Sequence, residues 1–570
     1  MYEPIAIVGT ACRFPGSAST PSKLWELLKA PRDVLKSFAQ DRLGTEGYYN
    51  ANGDMRGRSN VLHKSYLLEE DTRHFDNAFF HINPKDAAEM DPQQRMLLET
   101  VYEAFEAAGL SLEAVDNSQT SVHVGVMTDD YQCIQSRDPD TLGGHAATGV
   151  SRSILANRIS YAFNLQGASL ALDTACSSSL VALHMAVQGL QRGEATQAVV
   201  AGTNLLMDST WYIMASSMHM ISTESRCRMW DRDASGYARG EGVAAVVLKT
   251  LSQAIADNDR IECVIRGTGV NSDGQGDGRG ITIPSPAAQT ALIQSTYRAA
   301  GLDPVADRCQ YFECHGTGTQ AGDPAEAQAI RDAFRSEKDL PVLYCGSIKS
   351  VIGHLEGCAG LAGVIKASLA IQNKTIPPNM HFNNLSLKVA PFYEGLQVPT
   401  TLIPWPETGN GPRRASVNSF GFGGTNAHAI LESYEPSNTG EQQATSGISE
   451  CEEAEQTLVG PFVFSARSQA SLVSWLQQLV NYLRANESVD LETLSSTLHS
   501  RRSVFRYRTA IPTAVDRDDL VEKLTDQINM LTTASDGSPS SVAGGATGEG
   551  VSILGVFTGQ VCSTDIMSPC

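Results

Sequence analysis

The chain has 570 residues, 42% of them apolar, and 63 acidic against 43 basic side chains give it a formal charge of -20. That is enough apolar sequence for one large core and a second small domain, and the acidic excess argues against nucleic acid or an anionic membrane surface as the main partner. No apolar run reaches the roughly 18 residues needed to span a bilayer, and nothing like a secretory signal follows Met1-Tyr2-Glu3-Pro4, so a soluble, cytoplasmic protein is expected.

In chain order, a strand is expected over residues 5–8, and Asp91-Pro92-Gln93-Gln94-Arg95 leads a helix. Further strands read over 122–126, 170–173, 198–202 and 243–248, with helical stretches between them. The most informative stretch is Asp173-Thr174-Ala175-Cys176-Ser177-Ser178-Ser179. Residues 169–172 read as a short buried strand, and from Ser177 onward Leu180, Leu183, Val187 and Leu190 recur at helical spacing, which puts Cys176 at a helix N-terminus. Unpaired backbone N–H groups and the positive end of the helix dipole favour thiolate there. Position alone leaves a second reading open, that of a buried and inert thiol.

In the second half, strands read over 261–266, 311–313, 342–346, 415–419 and 428–432, with helices over 287–300, 324–335 and 361–372. Alternation of this kind predicts an α/β fold. Two histidines follow short apolar strands, His315 in Tyr311-Phe312-Glu313-Cys314-His315-Gly316-Thr317-Gly318-Thr319 and His354 in Ser347-Ile348-Lys349-Ser350-Val351-Ile352-Gly353-His354. Either one alone reads first as a hydrogen-bonded structural residue. Asp323, Pro324 and Glu326 have the spacing of a helix cap, a first-turn proline and a capping box. The twelve cysteines form neither a CxxC pair nor a disulfide framework, so no metal site is expected; nor is a directly bound cofactor.

Beyond residue 433 the composition turns polar. An acidic linker is expected over 434–458, where Glu450, Glu452, Glu453 and Glu455 cluster, and a small α/β domain over 459–531. In the latter, residues 462–464 read as a strand, and Leu472, Trp475, Leu476, Leu479, Val480 and Leu483 form one helix face. A Ser/Thr/Gly-rich tether over 532–550 and a short tail over 551–570 complete the chain.

Taken together, the three motifs around Cys176, His315 and His354 resemble the β-ketoacyl synthase family, whose active site is a Cys-His-His triad on motifs of the forms DTACSSS, HGTGT and KxxxGH. The resemblance runs from about residue 1 to 432. It includes Cys12-Arg13-Phe14-Pro15-Gly16, the segment from Asp231 to Gly242, and Asn418-Ser419-Phe420-Gly421-Phe422-Gly423-Gly424-Thr425-Asn426. Within the family the chain looks most like the fungal, iterative, highly reducing polyketide synthases. The resemblance implies a thiolase-like fold over 1–433, with two similar halves, about 1–255 and 256–433, layered α-β-α-β-α. It implies decarboxylative condensation of an acyl chain on Cys176 with a malonyl unit on the phosphopantetheine arm of an acyl carrier protein, an acidic partner for which a local basic patch would suffice. His315 and His354 are then the triad histidines. Lys349 matches a lysine of the family's charge pattern, Phe422 a gating aromatic, and backbone N–H groups at Cys176 and near Phe422 an oxyanion hole. Asp323 and Glu326 become either helix caps, the preferred reading, or supports of the nearby histidine. Lys349 and Phe422 also read simply as a surface lysine and a core phenylalanine. The resemblance further implies a homodimer, identifies 459–531 as the adaptor between ketosynthase and acyltransferase, and marks 551–570 as a truncated acyltransferase start. On that reading, acyltransferase and reducing domains reside on other chains or are missing. The competing reading is a non-catalytic ketosynthase-like partner or an inactive fragment.

Overall fold

The computed structural model describes residues 2–435 and 458–533, apart from short stretches at 39–42, 44–46, 53–54, 62–63, 277–279, 335–339 and 410. The chain divides into two compact units, residues 1–452 with 501–503, and residues 453–500 with 504–570. The first unit is built on an eleven-stranded sheet. Its first half comprises β1 (Ile5–Arg13), β2 (Thr120–Gly125), β3 (Ser169–Leu172), β4 (Gln197–Asn204) and β5 (Gly242–Thr250). Its second half comprises β6 (Cys263–Ser272), β7 (Tyr311–Glu313), β8 (Leu343–Gly346), β9 (Leu396–Gln397), β10 (Arg414–Phe420) and β11 (Thr425–Glu432).

Across the sheet the order is β9-β8-β7-β10-β11-β6-β1-β5-β4-β2-β3. With the short edge strand β9 set aside, each half runs outward from the centre as its own first, fifth, fourth, second and third strand. The senses also match: antiparallel for the first two pairings in each half and parallel for the next two. The expected duplication is therefore present in the topology. The halves meet where β1 and β6 pair antiparallel, from Ile5↔Ile265 to Ile7↔Cys263, so the two β layers are one continuous sheet.

Helices α1 (Pro92–Ala107) and α2 (Arg152–Ala162) cover the outer face of the first half, and α3 (Ser178–Gln191) lies between the halves. Helices α4 (Pro286–Ala299) and α5 (Gly322–Phe334) cover the outer face of the second half, while α6 (Ala359–Gln372) joins α3 in the middle. The strands read as continuous apolar runs because both faces are buried. In β5, Ala244, Val246 and Leu248 enter the central core, and Val243, Ala245 and Val247 enter the outer one. Helix α1 begins as expected, with Asp91 accepting the Gln93 N–H at 2.8 Å and Pro92 in the first turn.

Strand β3 departs from expectation. It lies at the end of the sheet, paired only with β2, and Leu170 is 41% exposed. An apolar run alone does not distinguish a central strand from an edge strand.

In the second unit, β12 (Phe462–Ala466) and β13 (Tyr507–Ile511) pair antiparallel beside α7 (Gln469–Ala485), α8 (Leu491–Ser500) and α9 (Arg517–Thr533). Leu472, Leu476, Leu479, Val480 and Leu483 of α7 are buried, and the Trp475 ring packs against Phe464 at 5.1 Å. Thr532 and Thr533, expected to open the 532–550 tether, instead close α9. Residues 436–457 of the expected linker, the rest of the tether and the 551–570 tail lie outside the described residues. Among the described residues no helix is long and apolar enough to cross a membrane.

The two central helices touch backbone to side chain. A Cβ placed on Gly360 would meet the Leu180 amide nitrogen and Cβ at 2.7 Å and the Ser179 hydroxyl at 3.0 Å. Gly360→Val is expected to lower stability by about 1–3 kcal/mol, read as a reduced urea midpoint at unchanged slope.

Candidate active site

Cys176 stands on a tight elbow between β3 and α3. Ala175, immediately before it, has φ +58°, a left-handed conformation uncommon for a non-glycine residue. The neighbouring polar side chains hold that turn. Asp173 accepts the Ala175 N–H at 3.0 Å, Ser178 accepts the Thr174 N–H at 2.9 Å, and Ser177 donates to the Thr174 carbonyl at 2.8 Å. Ser179 reaches across to accept the Leu361 N–H at 3.1 Å, at the start of α6. With the Thr174 and Ser177 hydroxyls 2.9 Å apart, every Asp, Thr and Ser side chain of the Asp173–Ser179 run makes a bond that shapes the elbow or ties it to the second half.

The two histidines and the cysteine line one cavity of about 260 Å³, together with Phe420 and Phe422. His315 leaves β7, and His354 follows the short helix Lys349–Ile352 beyond β8. Their rings stand edge to face with centroids 5.5 Å apart. The Phe420 N–H donates to His315 Nδ1 at 3.3 Å, and the Glu356 N–H donates to His354 Nδ1 at 3.1 Å. A backbone N–H can only donate, so each Nδ1 is the acceptor and, in a neutral ring, each Nε2 carries the proton. Burial, reinforced by the positive charge of Lys349, holds both rings well below the ordinary histidine range and therefore neutral. The His354 Nε2 is buried and has no hydrogen-bond partner among the described residues. Two neutral imidazoles thus supply two N–H donors to the site.

The loop after β10 connects both halves of this arrangement. Ser419 donates to the Cys176 carbonyl at 2.7 Å, while a Cβ on Gly421 would collide with the Thr174 carbonyl at 2.3 Å. Phe422 is half-buried at the cavity, its ring 5.8 Å from Trp211, and so is not a core phenylalanine. At the thiol, the expected drive toward thiolate is outweighed. Burial pushes Cys176 up to about 12, the Glu356 charge adds to that, and Lys349 with the N–H groups of Cys176 and Phe422 pulls the other way.

Beneath the cavity lies a buried charge network that sequence reading caught only in part. Lys349 is 3% exposed and not a surface lysine; burial lowers its pKa, opposed chiefly by Glu313 and Glu326. Glu313 accepts from Lys366 at 2.8 Å and from the Ile348 N–H at 2.6 Å. The capping reading of Asp323 and Glu326 is not what the structure shows, because α5 starts at Gly322, whose N–H donates to Thr319 Oγ1. Glu326 accepts the N–H groups of His315 and Gly316 at 2.7 and 2.8 Å, and Asp323 those of Gly318 and Trp230 at 3.0 and 2.7 Å. Both carboxylates brace the turn that carries His315, and burial pushes Asp323 up to about 7. Asn418 donates to Glu326 at 3.0 Å and accepts from His428 at 2.8 Å, extending the brace to β11. Missed in sequence were Glu313, Lys366, Asn418 and His428. A glutamate in a buried strand and a lysine inside the apolar helix 359–372 were the available signals.

Comparison with known proteins agrees with this geometry. Residues 2–254 match the Beta-ketoacyl synthase, N-terminal domain, residues 262–383 the Beta-ketoacyl synthase, C-terminal domain, and residues 388–511 the Ketoacyl-synthetase C-terminal extension. The chain is 58% identical over 506 residues to the highly reducing polyketide synthase ACTTS3 of Alternaria alternata, covering 89% of this chain and 20% of that protein. It is 56% identical over 564 residues to the hybrid PKS-NRPS synthetase iccA of Talaromyces variabilis, covering 98% of this chain and 14% of that protein. The chain thus spans a fifth or less of the length of these relatives. Among solved structures, the ketosynthase from module 6 of the bacillaene synthase of Bacillus subtilis 168 superposes with a TM-score of 0.80 at 34% identity, covering 92% of this chain and 85% of the other. The oxazolomycin ketosynthase domain OzmH KS7 of Streptomyces albus JA3453 gives 0.82 at 32% identity, covering 92% and 88%.

Burial also sets a pH dependence through His428, which is pulled down to about 3. Its folded pKa is depressed, so between that value and an ordinary unfolded value near 6.5 only the unfolded chain binds the proton. Stability from this group is full above about pH 6.5 and falls as the pH drops toward 3. His428→Gln should make the loss of urea stability between pH 6 and 4.5 shallower by about 1.4 kcal/mol per pH unit.

Proposed function

The chain belongs to the β-ketoacyl synthase family, and on that premise we propose that it elongates a polyketide by decarboxylative Claisen condensation, with Cys176 as nucleophile. The observation that carries this reading is the pair of Nε2–H donors, fixed by main-chain N–H groups, on one cavity with the cysteine.

The sulfur of Cys176 attacks the acyl carbonyl of a pantetheine thioester. The C–S bond to pantetheine breaks, and the thiol proton leaves with the departing pantetheine sulfur. Neither histidine is required as a base, since each Nδ1 lone pair is already engaged. A malonyl thioester then enters, its C–C bond to the carboxylate breaks, carbon dioxide departs and the electron pair becomes an enolate. The Nε2–H groups of His315 and His354 meet that oxyanion. The enolate carbon attacks the acyl-Cys176 carbonyl, and the N–H groups of Cys176 and Phe422 stabilise the tetrahedral oxyanion. Collapse breaks the bond to Cys176 and releases the β-keto thioester, and the departing Cys176 thiolate takes a proton from solvent. Lys349 keeps a positive charge beneath both histidines, which disfavours their protonation and so preserves their role as neutral donors. Phe422, half-buried at the cavity, acts as the gate.

The acyl donor and the malonyl donor ride on the phosphopantetheine arm of an acyl carrier protein. Similarity to highly reducing and hybrid synthases supports iterative, reductive chemistry in concert with acyltransferase and reducing domains. The ketosynthase comprises 1–433, and the second unit serves as its adaptor toward an acyltransferase. The protein works in the cytosol as a homodimer; the partly exposed edge strand β3 is the face that supports this.

Intact mass after incubation with a short acyl-pantetheine thioester should show one acyl adduct, absent in Cys176→Ala. With malonyl carrier protein, His354→Ala should release carbon dioxide at least about tenfold more slowly while still accepting the acyl group, given what a lost oxyanion donor typically costs. A folded protein that takes up no acyl group would defeat the reading.

A further inference from the structure

The segment Gly236–Gly242 carries a guanidinium that the chemistry above does not use. Arg239 and Glu356 form a two-pronged ion pair, Nε to Oε1 at 2.7 Å and Nη2 to Oε2 at 2.8 Å, and both side chains are fully buried. The Arg239 guanidinium also lies 4.5 Å over the Tyr212 ring. A pair so deeply desolvated is weak evidence of stabilisation, because the cost of burying two charges rivals their attraction. Its position is more telling. Glu356 is the residue whose main-chain N–H donates to His354 Nδ1, and it does so from φ +44°, a left-handed backbone that a glutamate rarely adopts.

The same segment holds His354 from the other side. The His354 N–H donates to the Ala238 carbonyl at 2.7 Å and the Gly240 N–H to the His354 carbonyl at 2.9 Å. The Tyr237 ring packs edge to face on the His354 ring at 5.1 Å, and its hydroxyl reaches Glu356 at 3.5 Å. One stretch of chain therefore grips the backbone of His354, its ring, and the carboxylate of the residue that sets its tautomer.

We infer that Arg239 is a positioning residue for the decarboxylation step: by clamping the Glu356 carboxylate it keeps the Glu356 amide on His354 Nδ1, so that Nε2 of His354 remains the N–H donor in the cavity. This rests on the proposed function for the step named, and on the structure alone for the tautomer. Among the described residues no comparable ion pair bears on the Phe420 amide that serves His315, so the effect is confined to one of the two donors. Acylation of Cys176 needs neither histidine as a donor, and losing the Glu356 charge, which raises the thiol pKa, does not slow that step.

The test replaces the pair by apolar side chains, Arg239→Met with Glu356→Met, which leaves no unpaired buried charge. In the full chain, confirmed folded, acylation by an acyl-pantetheine thioester should slow by no more than about threefold. Carbon dioxide release from malonyl carrier protein should fall at least about tenfold in kcat at unchanged KM, as expected when a histidine loses its tautomer-setting partner. With 15N-labelled histidine, wild-type His354 should show Nε2–H alone, and the double variant a mixture of tautomers. Undiminished carbon dioxide release, an equal loss of acylation, or an unchanged His354 tautomer would each overturn the inference. Should the double variant not fold, Glu356→Gln keeps one prong and should slow carbon dioxide release at unchanged KM; full activity there overturns it as well. A folded wild-type chain that shows the tautomer but releases no carbon dioxide would instead defeat the proposed function, with the nitrogen spectra still deciding whether the clamp sets the ring.

Discussion

Two main-chain amides decide what this site can do. The N–H groups of Phe420 and Glu356 occupy the Nδ1 lone pairs of His315 and His354, and with burial keeping both rings neutral, each has its remaining proton on Nε2. An imidazole so engaged can donate but cannot readily accept. Much of the surrounding structure serves to hold those amides and rings in place. The carboxylates of Asp323 and Glu326 gather the N–H groups of the turn at His315, and the Gly236–Gly242 segment runs alongside His354. The network is made of buried charges and hydrogen bonds, where a missing partner is costly, so it is rigid by necessity.

The fold delivers these groups through close packing of small residues. Gly360 lets α6 meet the first turn of α3, and Gly421 lets the loop after β10 reach the cysteine elbow. Polar side chains then fasten the elbow: Ser419 holds the Cys176 carbonyl, and Ser179 takes the Leu361 amide in the first turn of α6. The elbow belongs to the first half, yet the groups that fix it come from the second, so neither half alone defines the site.

Most of the strands and the three central residues were legible in the sequence, because buried parallel strands write continuous apolar runs and the three motifs around Cys176, His315 and His354 have distinct local chemistry. What sequence could not convey was direction. Asp323 and Glu326 have the spacing of caps, but spacing does not say whether a carboxylate turns to its own helix or across to a neighbouring loop. Leu170 lies in an apolar run, but which strand ends the sheet is settled by pairings far away in the chain. Placing Cys176 at a helix start was sound; reading a thiolate from it was not, since burial is a property of the assembled core. Lys366 and Glu313 were visible as charges in apolar segments, but their pairing needed the strand order to bring β7 against α6.

The matched order of strands in the two halves has a consequence for how such a protein can change over evolutionary time. Each half carries a loop after its third strand, and in one that loop holds the cysteine of the cavity while in the other it leads to a histidine and its lysine. A symmetric framework has been given an asymmetric division of labour. A copy of either half, even one that folded, would own a sulfur without its donors or donors without a sulfur. Once divided in this way the halves cannot be inherited, recombined or lost separately, and the pair has become the smallest heritable unit of the chemistry.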